Sequence, residues 1–341
     1  MEYRTLGPTG LKVSVIGIGT PIMNDDPAKQ ETLKQVVKKA YDSGINFFDT
    51  AEMYGYGQAE LALGKAIKEL DISREQLVIC TKIFWGPGGG PNDNGLSRKH
   101  LIEGTNNSLK RLQLDYVDLL LCHKPDFETP VEETCRALDY LINKGKVLYW
   151  GTSEWPVERI MEAHRACEKL GLHKPVVEQP EYNMLTREKI EKEYLQLFNE
   201  LGLGTTVWSP MAGGILSGKY NEGIPEGTKF SDSDPTWKLI FDNYLAGENG
   251  ERTRKILKAL GELAKELGCT QPQLAYAWVM KNVNVSVCLL SVSRVSQLEE
   301  NLGAIELAKK LSPEILERIE KILGNAPAKY FNFKGWRPFS K

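Results

Sequence analysis

Short apolar and β-branched runs recur along the chain, and between them the apolar positions fall at helical spacing. The runs are VSVIGIG from Val13, INFFDT from Ile45, LVICTK from Leu77, VDLLLC from Val117, VLYWGT from Val147, VVEQ from Val176, GTTVWS from Gly204 and VSVCLL from Val285. Each has strand length, and most are near-continuously apolar, the pattern of strands covered on both faces. Between them, Leu33, Val36, Val37 and Ala40 fall on one helix face, as do Leu101, Leu109 and Leu112 in a stretch that Ser97 opens as an N-cap. Successive strand starts lie about 30 residues apart over most of the chain, room for one strand, one helix and two short loops. This alternation predicts parallel strands.

Eight such units close most naturally into a (β/α)8 TIM barrel, and the expectation is an α/β chain with one domain over residues 1–341. The alternative is a doubly wound open sheet. It lacks its main signal, because the first strand leads into Gly17-Ile18-Gly19-Thr20-Pro21-Ile22, with Ile22 where G-x-G-x-x-G requires glycine. Two segments fall outside the repeat. YRTLGPTGLKV, residues 3–13, predicts an N-terminal β-hairpin turning at Pro8 to Gly10, and the Gly-, Pro- and Asp-rich stretch 210–250 predicts an extended active-site loop after the seventh strand.

Composition narrows the class. The 341 residues carry 43 Lys+Arg against 45 Asp+Glu, a formal charge of −2, with 41% hydrophobic residues. These are ordinary globular values, which argue against disorder and against a nucleic-acid partner. No apolar stretch reaches the roughly 18 residues of a membrane span, and MEYRTLGPTG lacks the apolar core of a signal peptide. A cytoplasmic location without membrane insertion is expected. The six cysteines, Cys80, Cys122, Cys135, Cys167, Cys269 and Cys288, show no C-x-x-C or C-x-x-H spacing, so neither a metal site nor a disulfide framework is indicated. Two N-x-S matches, at Asn106 and Asn284, read as chance in such a chain. His100, His164 and His173 are expected on helix or loop surfaces, without a role.

In barrels of this kind the chemistry sits at the C-terminal ends of the strands. Those ends are polar here: Asp49-Thr50-Ala51-Glu52-Met53-Tyr54, Thr81-Lys82, Cys122-His123-Lys124, Gly151-Thr152-Ser153, Glu178-Gln179 and Trp208-Ser209-Pro210. An acid, a phenol, an ammonium and an imidazole suit carbonyl reduction, because hydride arriving at a carbonyl carbon leaves an alkoxide that needs a proton and nearby positive charge. Tyr54 is the natural donor. A free tyrosine has a pKa near 10, and Lys82 within about 4 to 6 Å is expected to lower it. Asp49 would keep Lys82 charged and oriented, and His123 would polarise the substrate oxygen. Taken singly, each residue also has a structural explanation: Asp49 as a helix cap, Lys82 in a buried ion pair, Tyr54 as a rim aromatic, His123 as a satisfied core histidine.

The segments FFDTAEMYGYGQAELALGKAI, VICTKIFWG, YVDLLLCHKPD and TVWSPMAGGILSGKY resemble the aldo-keto reductase superfamily. GLSRKHLIEGTNNSLKRLQLDYVDLL, TPVEETCRALDYLINKGKVLYWGTSEW, VVEQPEYNM and QLEENLGAIE resemble its branch containing the voltage-gated potassium channel β subunits and their plant and microbial relatives. The likeness spans roughly residues 3 to 325. It implies a catalytic tetrad of Asp49, Tyr54, Lys82 and His123 and NADP(H) as cofactor. Animal channel subunits carry Asn at the His123 position, so His here favours turnover.

The same resemblance implies cofactor contacts. Thr20 and Asp49 would touch it, Ser153 and Gln179 would bind the nicotinamide carboxamide, and Trp208 would stack on the ring. Ser209, Pro210, Met211, Ala212 and Gly213, with Lys219, would line the pyrophosphate under a cofactor-covering 210–250 loop. Ser291, Ser293, Arg294, Gln297, Glu300 and Asn301 would hold the adenosine end, with Lys229 and Arg294 on a 2′-phosphate, which favours NADPH over NADH. This chain departs from relatives at Pro21, where an aromatic is frequent, at Ser291, a usual glycine, and at Gly227; the tail 326–341 has no counterpart.

The function expected is NADPH-dependent reduction of aldehydes or ketones. The alternative is an NADP(H)-binding regulatory subunit, a homotetramer docked on a potassium channel α subunit, with slow or no turnover. A hydrolase pairing Glu52 with Glu178 or Asp118 is disfavoured, because such a pair should stand free of a Lys-Tyr couple.

Overall fold

The alternation of strands and helices folds as the spacing predicts. A computed structural model of the chain describes residues 1–20, 26–226, 228, 230, 235–328 and 330. Pro21, Ile22, Gly227, Lys229 and most of the 326–341 tail lie outside the described residues. The chain opens with β1 (Tyr3–Thr5) and β2 (Lys12–Ser14), an antiparallel hairpin with Tyr3 opposite Ser14. There follow β3 (Ile16–Gly19), α1 (Pro27–Asp42), β4 (Phe47–Asp49), α2 (Gln58–Glu69), β5 (Val78–Ile83), α3 (Arg98–Leu112), β6 (Val117–Cys122), α4 (Val131–Asn143), β7 (Val147–Ser153) and α5 (Val157–Leu170). The second half carries β8 (Val177–Gln179), α6 (Leu195–Leu201), β9 (Gly204–Val207), α7 (Pro235–Tyr244), α8 (Gly247–Glu266), α9 (Gln271–Lys281), β10 (Val287–Leu290), α10 (Val295–Leu302), α11 (Ala304–Lys310) and α12 (Pro313–Leu323).

β3 to β10 close into a barrel in the order β10-β3-β4-β5-β6-β7-β8-β9, every pair parallel. The open doubly wound sheet is thereby excluded. Ser97 caps α3 as expected, accepting from the His100 amide. The first run splits where the sequence showed it whole: Val13 and Ser14 belong to the hairpin, and the barrel strand begins at Ile16.

Side-chain parity decides what lies inside. Phe47, Val78, Cys80, Leu119, Leu121, Val177, Val287 and Leu289 pack in one cluster with Leu6 and Val13 of the hairpin. Their strand neighbours Phe48, Ile79, Leu120, Trp150 and Cys288 belong to a separate cluster shared with the helices. Successive strand residues thus face interior and helix layer in turn. Leu6 and Val13 plug the N-terminal end of the barrel. Gly7, at φ +55°, makes this approach feasible, since a Cβ there would collide with the Val176 carbonyl and the Gly204 amide. The C-terminal mouth is left for chemistry.

Two expectations need correction. The 210–250 stretch is not one open loop: Ala212–Ser217 forms a short helical turn, and α7 and the start of α8 lie within it. Ile240, Phe241, Tyr244 and Leu245 recur at helical spacing and pack on the helix-side core, a period masked by the surrounding Gly, Pro and Asp. His100 and His164 are buried rather than on surfaces, while His173 is exposed and bonded to Asp139. All six cysteines are free and all but Cys269 are buried. Among the described residues no helix is long and apolar enough to cross a membrane, and no group of three or more His, Cys, Asp or Glu side chains is placed to hold a metal.

Candidate active site

The parity that puts Phe47, Val78, Cys80 and Leu121 inside also sends the side chains of Asp49, Lys82, His123, Ser153 and Gln179 to the inner face, at the C-terminal strand ends. There the Lys82 ammonium, completely buried, donates to the Asp49 carboxylate, to the Thr50 carbonyl at 2.8 Å and to the Tyr54 hydroxyl at 3.3 Å. The other Asp49 oxygen accepts from Gln179 Nε2 at 3.0 Å, and the same amide donates to Thr206 Oγ1 at 3.1 Å. Asp49 is therefore fixed by two groups, and Lys82 has all three donors used.

Tyr54 is delivered by the turn after β4. Gly55, Tyr56 and Gly57 have φ of +59°, +54° and +90°, and this left-handed run folds the chain back into α2, whose second residue Ala59 donates to the Tyr54 carbonyl. The Tyr54 and His123 rings meet edge to face at 5.8 Å, and Trp85 packs edge to face on the other contact of His123 at 5.2 Å. The Trp85 ring also meets Phe84 edge to face at 4.8 Å, and the Phe84 amide donates to Glu52 Oε1 at 2.8 Å.

The electrostatics differ from expectation at one point. Burial raises the Tyr54 pKa, and although Lys82 pulls it down, Asp49 works against that cation, so the net shift is upward from 10 rather than downward. Lys82 itself is opposed by burial yet held charged by Asp49, and its pKa rises. His123 is driven well below 6.5 by burial, with Lys82 and Lys124 adding to the effect, so the ring is neutral; its Nδ1 is buried without a partner.

Several residues not singled out by sequence shape this mouth. His100 Nε2 lies 2.9 Å from Glu52 Oε1 and its Nδ1 lies 3.0 Å from the Asn92 carbonyl. Two acceptors on one ring require both nitrogens to donate, and although burial opposes the charge these partners raise the His100 pKa. This imidazolium ties the loop after β5 to the Tyr54 turn. Glu154, at φ +63°, accepts from Trp208 Nε1 at 2.8 Å, the Glu181 amide at 2.6 Å and Lys189 Nζ at 2.5 Å. A polar residue directly after a barrel strand was the available signal for Glu154, and the aromatic pair after Ile83 for Trp85.

Glu52, Glu178 and Asp118 do not form a carboxylate pair. Glu52 serves His100 and Phe84, Asp118 pairs with Arg74 at 2.6 Å, and Glu178 faces Thr152, Trp155 and Tyr194 in the helix layer.

The residues expected around a cofactor occupy the same end of the barrel and its flanks. The Thr20 amide donates to the Asp49 backbone carbonyl at 2.8 Å, and the buried Thr20 hydroxyl has no partner. Ser153 Oγ donates to the Gln179 carbonyl at 2.9 Å. Trp208 is 36% exposed despite its position at a strand end. Ser209, Ala212 and Gly213 adopt φ of +53°, +48° and +64°, with Pro210 buried and Met211 half-buried between them, and the Ala212 and Gly213 amides turn back on Ser209. Lys219 is exposed. Ser291, Ser293, Arg294 and Glu300 are exposed, Gln297 accepts from the Ser293 amide and hydroxyl at 2.8 and 3.1 Å, and Asn301 is buried.

Comparison with known proteins is consistent with this geometry. Residues 15–324 match the Aldo/keto reductase family. The chain is also 46% identical over 331 residues to an Arabidopsis thaliana protein named as a probable voltage-gated potassium channel subunit beta, covering 96% of this chain and 98% of that one.

Proposed function

We propose that this chain, which belongs to the aldo/keto reductase family, reduces aldehydes and ketones to alcohols with NADPH. The observation that carries this reading is the buried Lys82 ammonium, bonded at once to Asp49 and to the Tyr54 hydroxyl. Because Lys82 donates to the phenolic oxygen, the Tyr54 proton must point to another acceptor. A substrate carbonyl oxygen within reach of Tyr54 receives that proton as negative charge builds on it, the phenolic O–H bond breaking as the alcohol O–H forms. The phenolate left behind is stabilised by Lys82. A Tyr54 pKa above 10 keeps the phenol loaded at neutral pH, and an alkoxide is a strong enough base to take its proton. Neutral His123 donates one N–H to the same carbonyl oxygen and polarises it without protonating it. A bound reduced nicotinamide supplies the hydride.

The residues fit such a cofactor. The exposed Trp208 indole offers a flat face for a nicotinamide, and the unpartnered Thr20 hydroxyl stands beside Asp49 at the same mouth. Lys219 and Arg294, neither in an ion pair among the described residues, would meet the phosphates, and Arg294 with Lys229 would favour NADPH over NADH. Ser153 and Gln179 would hold the carboxamide, the Ser209–Gly213 turn would pass the pyrophosphate, and Ser291, Ser293, Gln297, Glu300 and Asn301 would hold the adenosine.

A second reading is favoured by the name of the Arabidopsis relative: a cytoplasmic, homotetrameric NADP(H)-binding partner of a potassium channel, with slow turnover. The two are separated by NADPH oxidation with a carbonyl panel, using Tyr54→Phe as the control.

A further inference from the structure

Lys124 directly follows His123 on the loop after β6, and its ammonium stands 5.9 Å from the centroid of the Trp208 ring. The carboxylates around it are already engaged. Glu154 is bonded to Lys189, Trp208 and the Glu181 amide, and Glu181 accepts from Asn183 Nδ2 at 3.1 Å. Asp126, two residues further on, accepts from the Leu96, Glu128 and Thr129 amides and the Thr129 hydroxyl. Lys124 is half-buried, yet among the described residues its ammonium makes neither a hydrogen bond nor an ion pair. Burial accordingly pushes its pKa down, with Glu154 offsetting only part of the effect. A partly desolvated cation with no directly bonded carboxylate is costly, and the fold tolerates it beside the imidazole proposed to hold the substrate oxygen. An anionic group on the ligand would remove that cost.

We infer that Lys124 is a specificity-determining residue that binds a carboxylate on the carbonyl substrate, so that the preferred substrates are aldehyde acids or keto acids. The carbonyl lies at Tyr54 and His123, and the carboxylate lies at Lys124 beside the Trp208 indole. The inference rests on the reductase reading, and its test separates the two. The purified full chain is given NADPH with 4-formylbenzoate and, separately, with 4-formylbenzamide, which has the same shape and no charge. The quantity read is the ratio of the two kcat/KM values, which is insensitive to the fraction of active protein. The wild type should favour the carboxylate by about tenfold, the scale of a hydrogen bond to a charged group. Lys124→Met should bring the ratio near unity, and Lys124→Arg should keep most of it. A wild-type ratio near unity, a ratio unchanged in Lys124→Met, or a Lys124→Met effect confined to the KM for NADPH would each overturn the inference while leaving the reductase reading intact. Reduction of neither aldehyde would overturn the reductase reading and this inference with it.

Discussion

Lys82 and Asp49 form a salt bridge across adjacent barrel strands, with side chains 0% and 4% exposed. Asp49 pairs in register with Cys80, two residues before Lys82, so strand parity turns both side chains to the same inner face. A buried pair of this kind stabilises little relative to an apolar pair of the same shape, but removing one partner strands a charge. Lys82→Met should therefore lower stability by about 3–5 kcal/mol. Asp49→Asn combined with Lys82→Met should recover much of that loss in urea unfolding. If the double variant is as unstable as the sum of the singles, the two do not act as a unit.

Glu178 supplies a pH dependence of stability. It is fully buried, and burial raises its pKa from 4.5 to about 7 against the hydrogen bond from Thr152. The folded chain thus holds a proton that the unfolded chain releases between those values, so this group's cost appears as pH rises from 4.5 to 7 and is complete above 7. Glu178→Gln, which mimics the protonated form, should gain up to about 3 kcal/mol on the wild type across that window. Glu181 rises to about 7 as well, through burial and then Glu154, and contributes the same kind of slope to wild type and Glu178→Gln alike. Parallel stability curves for wild type and Glu178→Gln from pH 5 to 8 would contradict the assignment.

Two histidines should titrate in opposite directions. His123 is held neutral by burial and by Lys82 and Lys124, whereas His100 is held protonated by Glu52 and Asn92 despite its burial. Followed by imidazole carbon shifts, His100 should lose its proton above 6.5, while His123 should stay neutral through the whole range in which His100 titrates. Because the folded His100 pKa is raised, its contribution to stability is full below 6.5 and is lost as pH rises through the folded value. Matching titration curves near 6.5 would refute both environments.

Cofactor choice tests the adenosine end. Lys229→Ala and Arg294→Ala should each raise the KM for NADPH by roughly tenfold while changing that for NADH much less. Equal loss for both cofactors would remove the altered residue from a 2′-phosphate site.

The sequence carried the barrel and most of the inner-face polar residues because both depend on local pattern. Apolar runs and a period of two along each strand suffice to place Asp49, Lys82, His123, Ser153 and Gln179 at one end. It did not carry what depends on encounters between distant loops. The upward shift of Tyr54 needs its depth and the Asp49 charge together, and the burial of His100 needs Glu52 and Asn92 brought to it. The Trp85–His123 packing and the Glu154–Trp208–Lys189 contacts join residues that follow different strands. α7 was hidden for a different reason: its apolar period is short and framed by turn-forming residues.

The most direct measurement is NADPH oxidation by the purified chain across a panel of aromatic and aliphatic aldehydes and ketones, with Tyr54→Phe alongside and NADPH binding followed by fluorescence. Removing the proton donor while leaving the cofactor contacts should lower kcat by at least about 100-fold with NADPH still bound. A Tyr54→Phe protein that turns over at near the wild-type rate would contradict the proposed proton transfer. Cofactor bound by the wild type with no carbonyl reduced would place the regulatory reading ahead.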